Sequence, residues 1–286
     1  VTSHPKLTIR ELRARAVNVP MPRPLQTSGG MVGTAPLVLI DLLTEEGITG
    51  CSYVFCYTPL VLKPVAQLIT GLETLVKSDV VAPVAIESKS FNAGFGSWDR
   101  KVSRASPWPA STWLPGMHSQ KCAQRRSVPE TLRRTRVLDN EGIYWVEEPT
   151  VADDFAGHAQ ISRETRTPIQ IGENWWGSHD MAKSIAVGAS DLVMPDAMKI
   201  GGVTGWMRAA ALADSAGLPV SSHLFPEVSA HLLVVTPTCH WLGYVDWANP
   251  VLQEPLRIEK GSAIICDAPG IGISWNDESI ECYWVQ

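Results

Sequence analysis

The sequence lacks most of the features that would take it outside ordinary folded proteins. It has no C-x-x-C pair. Its six cysteines, Cys51, Cys56, Cys122, Cys239, Cys266 and Cys282, are scattered, which argues against a zinc site or a disulfide framework and fits reduced thiols. No apolar run reaches the ~20 residues that a membrane helix needs, because Pro, Gly or a charge interrupts each one. The first residues, VTSHPKLTIR, have no apolar export region. There is no basic excess either: the formal net charge of −5 gives no reason to expect a nucleic-acid partner. With 19% charged against 45% hydrophobic residues, the composition argues against disorder as well. The expectation is a cytoplasmic globular protein with no nucleic-acid or membrane partner.

What is present is uneven. The chain carries 11 Trp against 5 Phe and 5 Tyr, and Trp98, Trp108 and Trp113 fall close together. Residues 88–126 hold seven Lys or Arg and one acid, Asp99, with one Val, one Leu and no Ile. That stretch does not read like its surroundings.

Before it, residues 7–19 alternate apolar and polar as a strand does, and PMPRPLQTSGG reads as a Pro/Gly-rich loop. APLVLIDLLTEEGITGCSYVF reads as two antiparallel strands around Glu46-Gly47. Leu62, Val65, Leu68, Ile69 and Leu72 then follow at helical spacing. Beyond residue 128 strand and helix alternate. Strands are expected at IYWVEEP, PIQIGEN, DLVMPDAM, LPVSSHLF and near WLGYVDW, with helices between them. Such alternation predicts right-handed βαβ units and a parallel sheet, either a (β/α) barrel or a doubly wound sheet.

Each of these strands ends in polar groups: Glu147-Glu148, Glu173-Asn174, Asp196, Ser221-Ser222-His223 and Asp246. In a barrel, that end is the catalytic face. Glu147 and Glu173 close consecutive strands and supply hard oxygen ligands of the kind Mg²⁺ prefers. Asp196 and His223 close the next two, and an Asp beside a His makes a general base near neutral pH. Lys199 reads as a cation near substrate or a surface lysine; Glu254 as a general acid or a loop carboxylate. Taken singly, each Glu reads more readily as a helix cap or the partner of a surface base. Their order along successive strand ends is what points to chemistry.

The stretches RAVNVPMPRPLQTSGGMVGTAPLVLIDLLTEEGITGCSYVF, WVEEPTVADDFAGH, QIGENWWG, MPDAMKIGGVTGWMRAAALA and SSHLFPEVSAHLL resemble the mandelate racemase/muconate lactonizing enzyme family of the enolase superfamily. The resemblance covers about residues 5–87 and 128–280. It implies an α/β fold: an α+β capping domain over residues 1–87, and a C-terminal (β/α) barrel over 128–286 that returns to the capping domain. It implies an isomerase, a racemase using Mg²⁺ to abstract the proton α to the carboxylate of a small 2-hydroxy acid such as mandelate. Glu147 and Glu173 match two metal ligands, His223 a catalytic base, and Asp196 its partner. Lys199 matches a lysine beside that pair, and Glu254 an acid that bonds the substrate carboxylate. Residues 21–33 match a mobile flap over the substrate. A homo-oligomer is implied too. The alternatives are an acid-sugar dehydratase on the same scaffold and a non-catalytic truncated product.

Two family features are missing from the sequence. There is no K-x-K strand to supply the opposite base, and no third metal-ligating Asp ending the strand after it. About five of eight barrel strands are accounted for, since some 160 residues follow residue 126 where a barrel takes ~250. Residues 88–127 are therefore read as an aberrant segment. Back-translated in a shifted frame, permitted codons for residues 97–121 include AGIDMAAWDAL, which resembles the family's helix at this point. A frameshift joined to a deletion accounts for the Trp cluster and the basic bias together, and leaves a racemase with one of its two bases.

Overall fold

The computed structural model describes residues 6–27, 30–92, 127–267 and 270–285. Most of the anomalous stretch, residues 93–126, lies outside the described residues. The chain divides into two compact units. Residues 1–120, 246–255 and 268–286 form the first, and 121–245 with 256–267 form the second.

In the first unit, β1 (Ile9–Thr27), β2 (Gly30–Thr44) and β3 (Thr49–Phe55) form an antiparallel sheet in that order. β2 is buried from Ala35 to Leu39, because both of its faces are covered. On one face Val38 packs with Ala16, Cys56 and Leu62 of α1 (Leu62–Gly71). On the other, Phe55 stacks on Trp247 at 4.3 Å, and the Trp247 indole N–H donates to the Tyr53 hydroxyl at 3.1 Å. Arg15 pairs with the buried Asp41 at 3.0 Å, and Asp41 also accepts from the Trp275 indole.

The Pro/Gly-rich loop expected at 20–30 is, outside residues 28 and 29, part of this hairpin. β1 runs on through Pro20, Pro22 and Pro24, and pairs resume at Leu25↔Val32, Gln26↔Met31 and Thr27↔Gly30 after a register irregularity. The reason is position. β1 lies at the end of the strand order, and an edge strand tolerates residues without an N–H donor.

The segment Pro59–Val76 has the length and mean hydropathy, 1.2, of a membrane span. It is nevertheless broken into a single 3-10 turn at Pro59–Val61, α1 and α2 (Glu73–Val76). Its longest piece has 10 residues, about 15 Å against a ~30 Å bilayer core, and packs its apolar side on the sheet. Helix α3 spans Pro83–Asn92.

In the second unit α4 (Val128–Leu138) precedes β4 (Val146–Glu147), α5 (Phe155–Glu164), β5 (Ile169–Ile171), α6 (Ser178–Ala186), β6 (Leu192–Val193), α7 (Gly202–Ala216) and α8 (Pro226–Val234). β4, β5 and β6 are parallel neighbours. Single parallel bridges extend the ladder from Val193 to Val220 and from Val220 to Cys239. Among the described residues this gives five parallel strand positions. Ile169, Ile171, Val193 and Val220 are buried, as expected where helices cover a parallel sheet. The last strand sits at Cys239, earlier than the expected WLGYVDW. Trp247, which gave that stretch its apolar look, packs instead in the first unit.

Helix α7 is anchored by Trp206, fully buried, whose indole N–H donates to Thr236 Oγ1 at 3.0 Å. At its first turn a Cβ on Gly205 would lie 2.0 Å from the Ile200 carbonyl oxygen. Helix propensity alone makes Gly205→Ala stabilising by about 1 kcal/mol. The close approach reverses that sign. Urea denaturation of Gly205→Ala is expected to show a lower midpoint than the parent chain.

Candidate active site

Five of the six residues singled out in the sequence sit in the second unit, at the C-terminal ends of its parallel strands. Glu147 ends β4. Glu173 follows β5, Asp196 follows β6, and Lys199 lies in the turn after it; His223 follows the Val220 bridge. Glu254 belongs to the first unit and is exposed.

The backbone brings Asp196 to His223 before their side chains meet. The two form a parallel bridge, and the His223 amide donates to the Pro195 carbonyl at 3.1 Å. The Asp196 side chain is wholly buried. Its Oδ1 accepts from the amides of Met198 and Lys199 at 2.9 and 3.0 Å, which aims Oδ2 at His223 Nδ1, 2.9 Å away. His223 Nε2 faces Glu173 Oε2 at 3.1 Å. Burial on its own would lower the His223 pKa, but the carboxylates of Asp196 and Glu173 outweigh it and push it up to about 9. With no cation at Glu173, the ring is then charged at neutral pH, with Nδ1–H toward Asp196 and Nε2–H toward Glu173.

Around this pair stand further carboxyls. Burial raises the Glu173 pKa, but His223, Lys199 and Asn174 together bring it below the ordinary value. Glu147 is raised by burial and by the Glu173 charge. Glu148 is pushed up to about 7 by burial and then by Glu173. Both Glu148 and Asn174 were absent from the predicted site. Asn174 Nδ2 donates to Glu148 Oε2 at 2.8 Å and to Glu173 Oε1 at 2.9 Å, and Lys199 Nζ donates to Asn174 Oδ1 at 3.0 Å. The signal was in the Glu-Glu and Glu-Asn doublets at the strand ends. Strand alternation assigns adjacent side chains to opposite faces, and so favours one member of each doublet. Glu148, however, has a left-handed backbone, with φ +38. Leu224 and Phe225, directly after His223, are left-handed too, at φ +55 and +49. Non-glycine residues held this way cost of order 1–3 kcal/mol each and cluster at functional sites.

Glycine supports the same end of the ladder. Gly172, before Glu173, has φ +137, and a Cβ there would meet the Met194 backbone at 3.0 Å.

Like-charged carboxyls, Glu147 exposed and Glu148 and Glu173 half-buried, are what a hard cation relieves. Glu147 and Glu173 offer oxygen donors, and Mg²⁺ is commonly held by one or two carboxylates plus waters. Among the described residues no group of three or more His, Cys, Asp or Glu is arranged to hold a metal, so the fit is to two protein carboxylates.

The pH dependence follows from the two raised groups. A pKa raised on folding stabilises the protein below the unfolded value and loses that contribution as pH climbs through the folded one. Glu148 therefore withdraws stability between about pH 4.5 and 7, and His223 between about 6.5 and 9. Metal-free protein in chelator is expected to lose stability as pH rises from 5 to 9. His223→Gln should flatten the upper part, which is worth on the order of 2 kcal/mol. Thermal melts across that range measure both slopes, and an unchanged upper slope in the variant would contradict the assignment.

Comparison with known proteins fits this architecture. Residues 9–91 match the mandelate racemase / muconate lactonizing enzyme N-terminal domain, and residues 121–279 match the enolase C-terminal domain-like family. An L-talarate/galactarate dehydratase of Salmonella typhimurium is 32% identical over 148 residues, covering 52% of this chain and 37% of that protein. An N-succinylamino acid racemase of Thermus thermophilus is 29% identical over 188 residues, 62% of this chain and 49% of that one. The chain thus spans less than half the length of these curated relatives. A solved Bradyrhizobium enolase, complexed with magnesium and mandelic acid, superposes with a TM-score of 0.84 at 30% identity, covering 99% of both chains. With both of its domains matched, the chain belongs to the mandelate racemase / muconate lactonizing enzyme family of the enolase superfamily.

Proposed function

We propose that this chain abstracts the proton α to the carboxylate of a 2-hydroxy acid such as mandelate, with His223 as the base and a divalent cation, Mg²⁺, at Glu147 and Glu173. The observation that carries the reading is the hydrogen-bonded run Asp196–His223–Glu173. Asp196 fixes the tautomer by accepting a hydrogen bond from Nδ1–H; the base is the neutral imidazole, whose Nε2 lone pair becomes available when a cation at Glu173 offsets the negative charge that raises the His223 pKa. A cation held by the two glutamates supplies positive charge against the charge that develops on the substrate carboxylate. His223 Nε2 takes the α-proton as the C–H bond breaks, and the bond's electron pair moves into the carboxylate. Lys199 places a second positive charge in the site, bonded to Asn174.

Racemisation needs an acid or base on each face of the α-carbon. The sequence has no K-x-K element, so His223 returns a proton to the face it came from. The stretch 92–120, between the two family matches, is matched by neither, which supports the reading of an interruption there. Exchange without inversion follows. The family likeness also supports a homo-oligomer of this chain.

A second reading, an acid-sugar dehydratase, is favoured by the relatives: besides the Salmonella enzyme, a D-gluconate dehydratase of Thermoproteus tenax is 31% identical over 150 residues. There the proton gained by His223 would pass to the departing β-hydroxyl.

Proton NMR in D₂O with Mg²⁺ tests both. One enantiomer of mandelate is expected to lose its α-proton signal without forming the other enantiomer, and His223→Asn should slow this by on the order of 10²–10⁴-fold. Formation of a keto acid from an acid sugar would favour the dehydratase. Absence of exchange and of water loss across both substrate classes would overturn the enzymatic reading.

A further inference from the structure

Asn174 is the node at which the charged groups of the site meet. Its two amide protons go to two different carboxylates, Glu148 and Glu173, and its oxygen takes the ammonium of Lys199. A carboxamide matches this set because it offers two N–H donors and a carbonyl acceptor on one planar group. The opposite orientation would set its oxygen against both carboxylates and its N–H against an ammonium. An aspartate would add a third negative charge, and a leucine of similar size would satisfy none of the three.

Glu173 is consequently held at both oxygens, Oε1 by Asn174 and Oε2 by His223. Glu148, next to Glu147 in the chain, has a carboxyl of the same kind, and Asn174 engages that one too. We infer that Asn174 is a positioning residue: it sets the carboxyl of Glu173 for the cation, occupies Glu148 so that it does not compete, and ties Lys199 to the same frame. The cation part rests on the reading of Glu147 and Glu173 given above. Groups that orient metal ligands from behind are typically worth 10–100-fold in metal affinity.

The test uses the full chain and two variants, Asn174→Ala and Asn174→Leu; the second preserves volume, so a merely space-filling role would leave it like the parent. Mg²⁺ titration calorimetry is expected to show both variants weakened by on the order of 10–100-fold. Affinities within twofold of the parent in both would overturn the inference. A metal-free arm measures reductive methylation of Lys199 by peptide mass spectrometry, with Lys183, paired to Asp180, as the internal reference. Lys199 is expected to label faster in both variants while Lys183 does not change. Unchanged Lys199 labelling in both overturns the inference whatever the calorimetry gives. If the parent chain itself takes up no Mg²⁺, the cation reading fails by itself, and the labelling arm alone decides the role of Asn174. Unfolding temperatures close to the parent's establish that the variants are folded; if Asn174→Leu does not fold, Asn174→Ala carries both measurements.

Discussion

The parallel register between the strand ending at Asp196 and the strand ending at His223 is the constraint on which the site depends. Backbone bonds from Val193 to Pro219, from Ser221 to Val193 and from His223 to Pro195 set the two strand ends level. A slip of one residue would turn His223 to the other face and leave the wholly buried Asp196 without a cationic partner. The amides of Met198 and Lys199 then hold Asp196, so the imidazole meets a carboxylate that is already oriented. Pairing comes first, and the side-chain chemistry follows from it.

Electrostatically the site is under strain that the protein distributes over neighbours. Four carboxyls, from the exposed Glu147 through the half-buried Glu148 and Glu173 to the wholly buried Asp196, stand with two cations, His223 and Lys199. The chain accommodates the excess in two ways. Glu148 keeps a raised pKa, and so carries a proton over part of the neutral range, while Glu173 spreads its charge over His223 and Asn174. A cation at Glu147 and Glu173 would relieve what remains. On the proposed reading, binding and base chemistry would be joined at Glu173, which faces His223 Nε2.

Much of this was legible in the sequence, for a physical reason. A parallel βαβ grammar puts the polar ends of successive strands on one face, so Glu147, Glu173, Asp196, Lys199 and His223 could be collected without a structure. Glu148 and Asn174 were not singled out, because strand alternation sends neighbours to opposite faces, and nothing in a string of letters marks the left-handed backbone at Glu148. The Pro-rich stretch after Pro20 reads as a loop, but the strand order leaves β1 at an edge where proline costs little. WLGYVDW reads as a strand on its aromatic pattern, whereas Trp247 is spent on Phe55 and Tyr53. Local patterns located the elements; tertiary pairing decided which partner each residue serves.

The account stands most directly on whether Glu147 and Glu173 share a cation beside His223. Anomalous diffraction from crystals of this chain grown with Mn²⁺ and mandelate measures it. The prediction is a single strong peak with both carboxylates as ligands and the substrate carboxylate next to it. Crystals in which Mn²⁺ binds elsewhere, or in which that position stays empty at saturating metal, would contradict it.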